Sequence, residues 1–196
     1  MNAKKFTFIL FVSCLLSLNL SAQAEKGQFT VSAGVGLVPT YMADRATTNV
    51  IPLSLSLDYR VTDMFSLSAY GGYTSATSRE QVLADGILVQ YENDLLVVGL
   101  RGAVHTDHFE RFDLYGGFML SYTMPQVMEI QLGENAGEPK ELGPSKDAPY
   151  KYKKPEAKLL PSGFVGGTWF ATKRIGVFGE IGYGISLFNT GIQIRL

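Results

Sequence analysis

The most constraining feature of this chain is the stretch IPLSLSLDYR, residues 51–60, in which apolar and polar residues alternate almost without interruption. The odd positions from Ile51 to Tyr59 are all bulky and apolar, whereas the even positions from Ser54 to Arg60 are polar. Because successive side chains of a β-strand point to opposite faces, the stretch is predicted to be a strand with one wholly apolar face. Such a face suits a soluble sandwich, a lipocalin-like barrel, or a barrel whose apolar side meets lipid.

The first 24 residues have the pattern of a secretory signal peptide. Lys4-Lys5 precedes a mostly apolar run over residues 6–20, and Ala22-Gln23-Ala24 supplies a cleavage site between small residues. A lipoprotein signal with a lipidated Cys14 is the alternative, but the apolar run continues past that cysteine. We therefore expect residues 1–24 to be removed and residues 25–196 to fold as one domain.

Composition narrows the class of protein further. Cys14 is the only cysteine, so the remaining chain has no disulfide to stabilise it. Of 17 basic and 18 acidic residues, only Lys4 and Lys5 lie in the leader, which leaves 15 against 18 and a net charge of −3. That balance gives no argument for a nucleic-acid partner. No later segment approaches the roughly 20 apolar residues of a membrane helix, which excludes a bundle of spanning helices.

Alternation predicts eight strands after the leader. Their approximate bounds are Gln28–Tyr41, 51–61, Phe65–Ser75, Tyr91–His105, 112–124, Leu159–Phe170, 175–185 and 190–196. The facing is clear except in the sixth strand, where GFVGGTWF puts aromatic residues on both faces. Short connections alternate with long ones, and only the last loop, near SLFNT, breaks the trend. This alternation is typical of bacterial outer-membrane barrels.

The two faces of the strands differ in size as well as polarity. A lipocalin-like barrel would turn its apolar residues inward, but here the apolar face is bulky and the other face is rich in glycine, serine and threonine. Eight strands enclose little volume, so we expect the small residues inside and the large ones outside. Aromatic residues near the strand ends are predicted to form two interfacial girdles: Phe29, Tyr59, Phe65 and Phe112 at the short-turn end, and Tyr41, Tyr73 and Tyr122 at the long-loop end. The predicted fold is all-β, an eight-stranded antiparallel up-and-down transmembrane β-barrel.

A family resemblance supports this prediction. The leader, the eight alternating segments and the stretches FDLYGGFMLSY, GVFGEIGYG and GIQIRL resemble the small outer-membrane β-barrel family that includes the transmembrane domain of outer-membrane protein A and the opacity proteins. The resemblance covers essentially the whole chain after the leader. It implies a monomer in the outer membrane of a Gram-negative-type envelope, inserted by the barrel-assembly machinery, in contact with outer-membrane lipid and lipopolysaccharide, and without a cofactor.

Charged residues on the predicted inner face are the first candidate site. Because charges in a narrow lumen are costly unless paired, we expect an ion-pair cluster that plugs the barrel in its periplasmic half. Its predicted members are Asp58, Arg60, Arg101, Asp113, Glu180 and Arg195, with Tyr70, Tyr115, Met119 and Phe178 filling the remaining space. The alternative for Arg60, Asp113 and Arg195 is a position at wet strand ends.

Catalysis and metal binding are not expected. The only histidines, His105 and His108, lie at a predicted short periplasmic turn, and no Ser-His-acid set falls near the headgroups of the outer leaflet. The same histidines with Asp107 and Glu110 have incomplete spacing for a metal site, so a polar turn is the preferred interpretation.

The long connection between the fifth and sixth strands is the second candidate site. Its end is basic and carries tyrosines, which suits phosphate groups of lipopolysaccharide or acidic glycans, although a solvated loop has the same composition. The residues concerned are Lys151, Tyr152, Lys153, Lys154 and Lys158. The expected function is structural or one of cell-surface interaction, and the alternative is a narrow porin or carrier for small solutes.

Overall fold

A computed structural model of the chain describes residues 26–40, 46–82, 88–106, 111–132, 140–141 and 157–196. Ten β-strands lie in these ranges: β1 Phe29–Gly36, β2 Thr47–Thr62, β3 Phe65–Thr77, β4 Gln81–Val82, β5 Leu88–His105, β6 Phe112–Leu132, β7 Lys140–Glu141, β8 Lys158–Phe170, β9 Ile175–Gly182 and β10 Phe188–Arg195. No helix with the length and apolarity needed to cross a membrane occurs in these ranges.

The eight long strands close into a barrel. Every neighbouring pair is antiparallel, and the order around the barrel is β1, β2, β3, β5, β6, β8, β9 and β10. Closure comes from β10, which pairs back with β1, so that Val31 lies opposite Leu57 on one side and Ile194 on the other. The predicted eight-stranded antiparallel up-and-down barrel is confirmed.

The faces of the strands follow the alternation in the sequence. In β2, Leu53, Leu55 and Leu57 are 43%, 59% and 46% exposed on the outside, while Ser56 and Arg60 are buried on the inside. The other long strands show the same division, with leucine, isoleucine, valine and aromatic side chains outside. The barrel thus has an apolar exterior and a lumen lined mainly by small and polar residues.

The sixth predicted strand, whose facing the sequence left open, corresponds to β8. Phe164 and Phe170 turn inward, whereas Val165 and Trp169 lie on the exterior. The register places Trp169 opposite Phe112 of β6, and both of these rings are outside. The aromatic residues on both faces therefore have different surroundings, two in the lumen and one on the outer wall.

Several predicted strand limits were wrong. β1 ends at Gly36 instead of Tyr41. Conversely, β5 begins at Leu88 and β6 continues to Leu132, because main-chain pairing between them persists beyond the apolar alternation. At their far ends this hairpin also pairs with the short strands β4 and β7. In addition, β2 and β10 start earlier than predicted, at Thr47 and Phe188.

The largest correction concerns the predicted strand 175–185. The strand β9 ends at Gly182, and Ile185, expected on the apolar outer face, is fully buried inside. The alternation of the sequence continues through Tyr183 and Ile185, but the chain leaves the strand after Gly182 and bends through residues 183–187.

The predicted aromatic girdle residues within the described part of the chain lie on the exterior, but Tyr122 is in the middle of β6 because that strand is longer than predicted. At the short-turn end, the rings of Phe29 and Tyr59 are packed at a centroid distance of 4.9 Å, and Phe112 is also exposed. Tyr73 and Tyr122 are exposed toward the opposite end. Tyr41 lies outside the described residues.

Candidate functional site

The barrel has two distinct ends. We call the end with the short β2–β3, β5–β6 and β8–β9 connections the inner end, and the opposite one the outer end. All six predicted charged residues point into the lumen, with Arg60, Asp113 and Arg195 near the inner end and the other three nearer the middle. Their positions follow from the period of two along each strand.

The Arg60–Asp113 ion pair crosses the lumen at the inner end. The Arg60 Nη2 atom lies 3.0 Å from Asp113 Oδ2, and both side chains are about one-tenth exposed. Since β2 and β6 are separated by β3 and β5 in the barrel wall, this contact spans the interior instead of joining neighbouring strands. Because both charged groups are largely removed from water, losing either one would leave the other buried and uncompensated.

Asp113 also contacts His105, the last residue of β5. The His105 Nδ1 atom lies 3.0 Å from both carboxylate oxygens, and Nε2 lies 2.8 Å from the Ser66 hydroxyl of β3. An Nδ1–H group of the ring donates to the carboxylate at this position, and Nε2 shares a hydrogen bond with the Ser66 hydroxyl. The sequence pattern predicts a polar turn at His105, but this residue has the same inward parity as Arg101, which was the signal for a position in the lumen.

The hydrogen bonds from Ser66 to His105 and from His105 to Asp113 resemble those of a serine-hydrolase triad. However, the cavity beside them is too small for a substrate. The adjoining cavity, of about 20 Å³, is lined by Thr30, Arg60 and Arg195 as well as by the three residues themselves. That volume holds about one water molecule and leaves no room for an acyl group. The three residues instead cross-link β3, β5 and β6 through side-chain hydrogen bonds.

A second ion pair crosses the lumen nearer the middle. The Arg101 Nη2 atom of β5 contacts the Glu180 carboxylate of β9, two strands whose shortest separation in the wall includes β6 and β8. The guanidinium carbon also lies 3.7 Å from the centroid of the Phe164 ring and 5.4 Å from that of Tyr70. Arg101 is therefore held by a carboxylate and by aromatic faces.

Asp58 and Arg195 have other surroundings. The Asp58 carboxylate accepts hydrogen bonds from the hydroxyls of Ser56, at 2.9 Å, and Ser68. The guanidinium carbon of Arg195 lies 3.4 Å from the centroid of the Phe170 ring. Within the described residues, Arg60–Asp113 and Arg101–Glu180 are ion pairs, Asp58 accepts hydrogen bonds from hydroxyl groups, and Arg195 stacks on a ring. The sequence did not reveal that Phe164 and Phe170 contact these two guanidinium groups, because the facing of β8 was undecided.

The lumen also contains a compact apolar cluster nearer the outer end. Tyr70, Leu95, Val97, Met119 and Ile185 form one buried cluster, and Phe164 packs against it. Tyr70 and Met119 were predicted to fill the lumen, and they do so together with Phe178, which is also buried, and Tyr115, whose ring packs edge-on to Phe164.

Small cavities remain between these layers. The first, which we call the serine chamber, has about 30 Å³ and is lined by Ser32, Ser54, Ser56 and Ser68, among others. The second, of about 10 Å³, lies beside Met119 and Gly184. With the inner cavity already described, each offers space for only one or two water molecules.

The predicted surface contact lies mostly outside the described residues. Lys151, Tyr152, Lys153 and Lys154 fall there, while Lys158 begins β8 with an exposed side chain, and its carbonyl accepts a hydrogen bond from the Thr123 hydroxyl. His108, Asp107 and Glu110 are also outside. Within the described ranges, no group of three His, Cys, Asp or Glu side chains is placed to hold a metal ion.

Comparison with known proteins gives a likeness of structure only. No protein-family model and no curated protein matches the chain. Among solved structures, the outer-membrane protein OprG of Pseudomonas aeruginosa is 9% identical, with a TM-score of 0.57 over 89% of this chain and 98% of its own. The N-terminal β-barrel domain of OprF from the same organism is 10% identical (TM-score 0.48; 88% and 100% covered), and Ail of Yersinia pestis is 11% identical (0.46; 87% and 95%). From the likeness to OprG, together with the closed sheet described above, the chain has the fold of the small eight-stranded transmembrane β-barrels.

Proposed function

We propose that the protein resides in the outer membrane of a Gram-negative-type envelope, with residues 1–24 removed and residues 25–196 forming a monomeric barrel. The continuous apolar exterior supports this, because a soluble protein rarely exposes so large an apolar surface. In a closed sheet, the main-chain N–H and C=O groups of every strand are hydrogen-bonded to neighbouring strands. This is required in lipid, where no water is present to bind these groups.

The proposed role is that of a closed barrel, structural or engaged in surface interaction. The observation that carries the closed lumen is the pair of contacts Arg60–Asp113 and Arg101–Glu180, which run across the interior between strands that are not neighbours. Separating either pair would leave two buried charges unpaired, which is strongly unfavourable. The buried apolar cluster nearer the outer end adds a second packed layer across the lumen.

Planar-bilayer recording tests the closure. The wild-type protein is expected to give no stable openings at moderate voltage, whereas Arg101→Ala and Glu180→Ala are expected to give frequent ones, because each removes part of a barrier across the lumen. Arg174→Ala is the control, since Arg174 is exposed in the β8–β9 turn. Stable conductance from the wild type that neither lumen substitution changes would overturn the closed lumen.

The proposed surface contact is with phosphate groups of lipopolysaccharide, through the basic end of the connection between β6 and β8. Its support is the charge pattern of Lys151, Lys153, Lys154 and Lys158. Replacing these four lysines by glutamine is expected to weaken lipopolysaccharide binding several-fold. Replacing Lys173 and Arg174 at the opposite end is the matched control. Equal binding by both variants and the wild type would leave the loop as a solvated connection.

A narrow porin is the second candidate. It is favoured by the serine chamber, whose hydroxyls, together with the Asp58 carboxylate, form a polar lining in the middle of the lumen. The same recordings decide between the two candidates, since a porin conducts without substitution.

A further inference from the structure

The outer wall of the barrel has a groove of about 580 Å³ across β5, β6 and β8, which we call the Phe118 groove. All the residues that line it are apolar residues or glycines. The register places Gly102 and Gly163 on either side of Phe118, and Gly116 opposite Val165. Because partners in neighbouring strands share a face, these three glycines leave the side-chain layer of the outer wall incomplete.

Phe118 projects from this groove with little support from its neighbours. It is 81% exposed, against 60% for Val165 and 55% for Val104, which also line the groove. An apolar chain lying in the groove would contact both the ring and the bare main chain of the glycines, and each such contact is favourable. An acyl chain has the required shape, since it is long, narrow and apolar.

The groove continues along β9 toward the inner end of the barrel. The outward residue next to Ile181 on β9 is Gly179, and a Cβ atom built on it meets nothing within 4 Å. Its partner Gly167 on β8 lies under the side chain of Leu114, so the open path follows β9. Trp169, the next outward residue of β8, is 41% exposed beside this path.

A basic turn lies where the path ends. The β8–β9 connection carries Lys173 and Arg174, both exposed, and the Thr172 hydroxyl fixes the turn by accepting from the Arg174 and Ile175 N–H groups at 3.2 and 2.9 Å. From Ile181 to Ile175 the strand covers about 20 Å. The tilt of barrel strands reduces this to about 15 Å across the membrane, which is the depth of one hydrocarbon leaflet.

We propose that the Phe118 groove and the β8–β9 turn bind one anionic phospholipid in the leaflet at the inner end. Its acyl chain lies against Phe118 and Gly116, and its phosphate lies beside Lys173. Basic residues at a membrane surface attract anionic headgroups, and Trp169 lies near the inner end, where aromatic residues meet headgroups. The inference rests on the membrane residence of the proposed function. It concerns the leaflet opposite to that of lipopolysaccharide.

Fluorescence quenching of Trp169 tests the site, because this residue is the single tryptophan and lies beside the path. The protein is folded into phosphatidylcholine vesicles that contain phosphatidylglycerol or phosphatidylcholine brominated on the acyl chains. We expect brominated phosphatidylglycerol to bind beside Trp169 about fivefold more tightly than brominated phosphatidylcholine. Lys173→Glu is expected to abolish this preference. Lys26→Glu, an exposed lysine at the same end before β1, is the matched control and should retain it.

Filling the groove is the second test. A Cβ atom built on Gly116 lies 3.5 Å or more from its neighbours, so Gly116→Leu is accommodated and its side chain occupies the groove. We expect it to lower the preference for phosphatidylglycerol at least threefold. Gly71→Leu, on the outer face of β3, is the matched control, since a Cβ atom there meets nothing within 4 Å. Heat-modifiable migration on a gel verifies that each variant is folded.

The outcomes separate this site from the proposed function. Equal quenching of the wild type by the two brominated lipids would overturn the phospholipid site and leave membrane residence intact. A preference that persists in both Lys173→Glu and Gly116→Leu would also overturn it. Absence of quenching by either lipid would overturn both, because Trp169 would then not face lipid.

Discussion

Removing one partner of the central ion pair should destabilise the barrel more than removing both. Arg101 and Glu180 side chains are only 8% and 12% exposed, so Arg101→Met leaves a buried carboxylate without its cation. Loss of one partner of a buried pair typically costs about 3–5 kcal/mol. Loss of the contact with the Phe164 ring adds about 0.5–2 kcal/mol for Arg101. We therefore expect Arg101→Met to lower the free energy of unfolding by about 4 kcal/mol or more.

The double variant Arg101→Met/Glu180→Met distinguishes a buried pair from a hydrated one. Apolar side chains of similar volume leave no charge behind, so the double variant should be more stable than either single variant, by about 2–4 kcal/mol. Arg174→Met, in an exposed turn, should change the free energy of unfolding by less than about 0.5 kcal/mol.

Urea titration in lipid vesicles measures these differences, with the fluorescence of Trp169, the single tryptophan, as the signal. Additive losses in the double variant, or single variants within about 1 kcal/mol of the wild type, would refute the argument that the lumen desolvates the pair.

Two further substitutions test other parts of the barrel. Asp113→Asn removes the carboxylate shared by Arg60 and His105 and is expected to cost about 3–5 kcal/mol, against less than about 0.5 kcal/mol for Asp63→Asn in the exposed β2–β3 turn. Equal losses in a urea titration would contradict the inner ion pair. Leu55→Arg places a charge on the exterior near the middle of β2 and is expected to cost about 2–4 kcal/mol in vesicles, whereas Leu37→Arg, beyond the outer end of β1, should cost about 0–1 kcal/mol. The same loss in both would argue against a lipid-facing exterior at Leu55.

The strands and their faces could be predicted from the sequence because apolar and polar residues alternate with a period of two. This period identifies a strand and also shows which of its side chains share a face. Asp58, Arg60 and Arg101 were assigned to the lumen from parity alone, and they lie there. Parity does not say which charges meet, since Arg101 and Glu180 come from strands that are brought together only when the sheet closes. Contacts across the lumen depend on the stagger of all eight strands, which no local pattern encodes.

The undecided facing of β8 and the wrong prediction at Ile185 have equally physical causes. In β8, aromatic residues occupy both faces because Phe164 and Phe170 stack against arginine side chains in the lumen. The size of the side chains therefore did not show which face of β8 is the outer one. At Ile185, alternation continued in the sequence after the strand had ended, and an isoleucine that matched the outer face is buried inside the barrel instead. The connection near SLFNT is short where the alternation of short and long connections predicts a long one. This was the one sign in the sequence that the β9–β10 connection differs from the others at the outer end.

The central claim is that the leucine face of IPLSLSLDYR meets lipid and its serine face meets the lumen. Nitroxide labels attached one at a time to cysteines at positions 53 to 58 test it, in protein folded into vesicles, by the rate of collision with dissolved oxygen. We predict a strict period of two, with high collision rates at Leu53, Leu55 and Leu57 and low rates at Ser54 and Ser56. Uniform rates along the stretch, or high rates at the serine positions, would contradict the account.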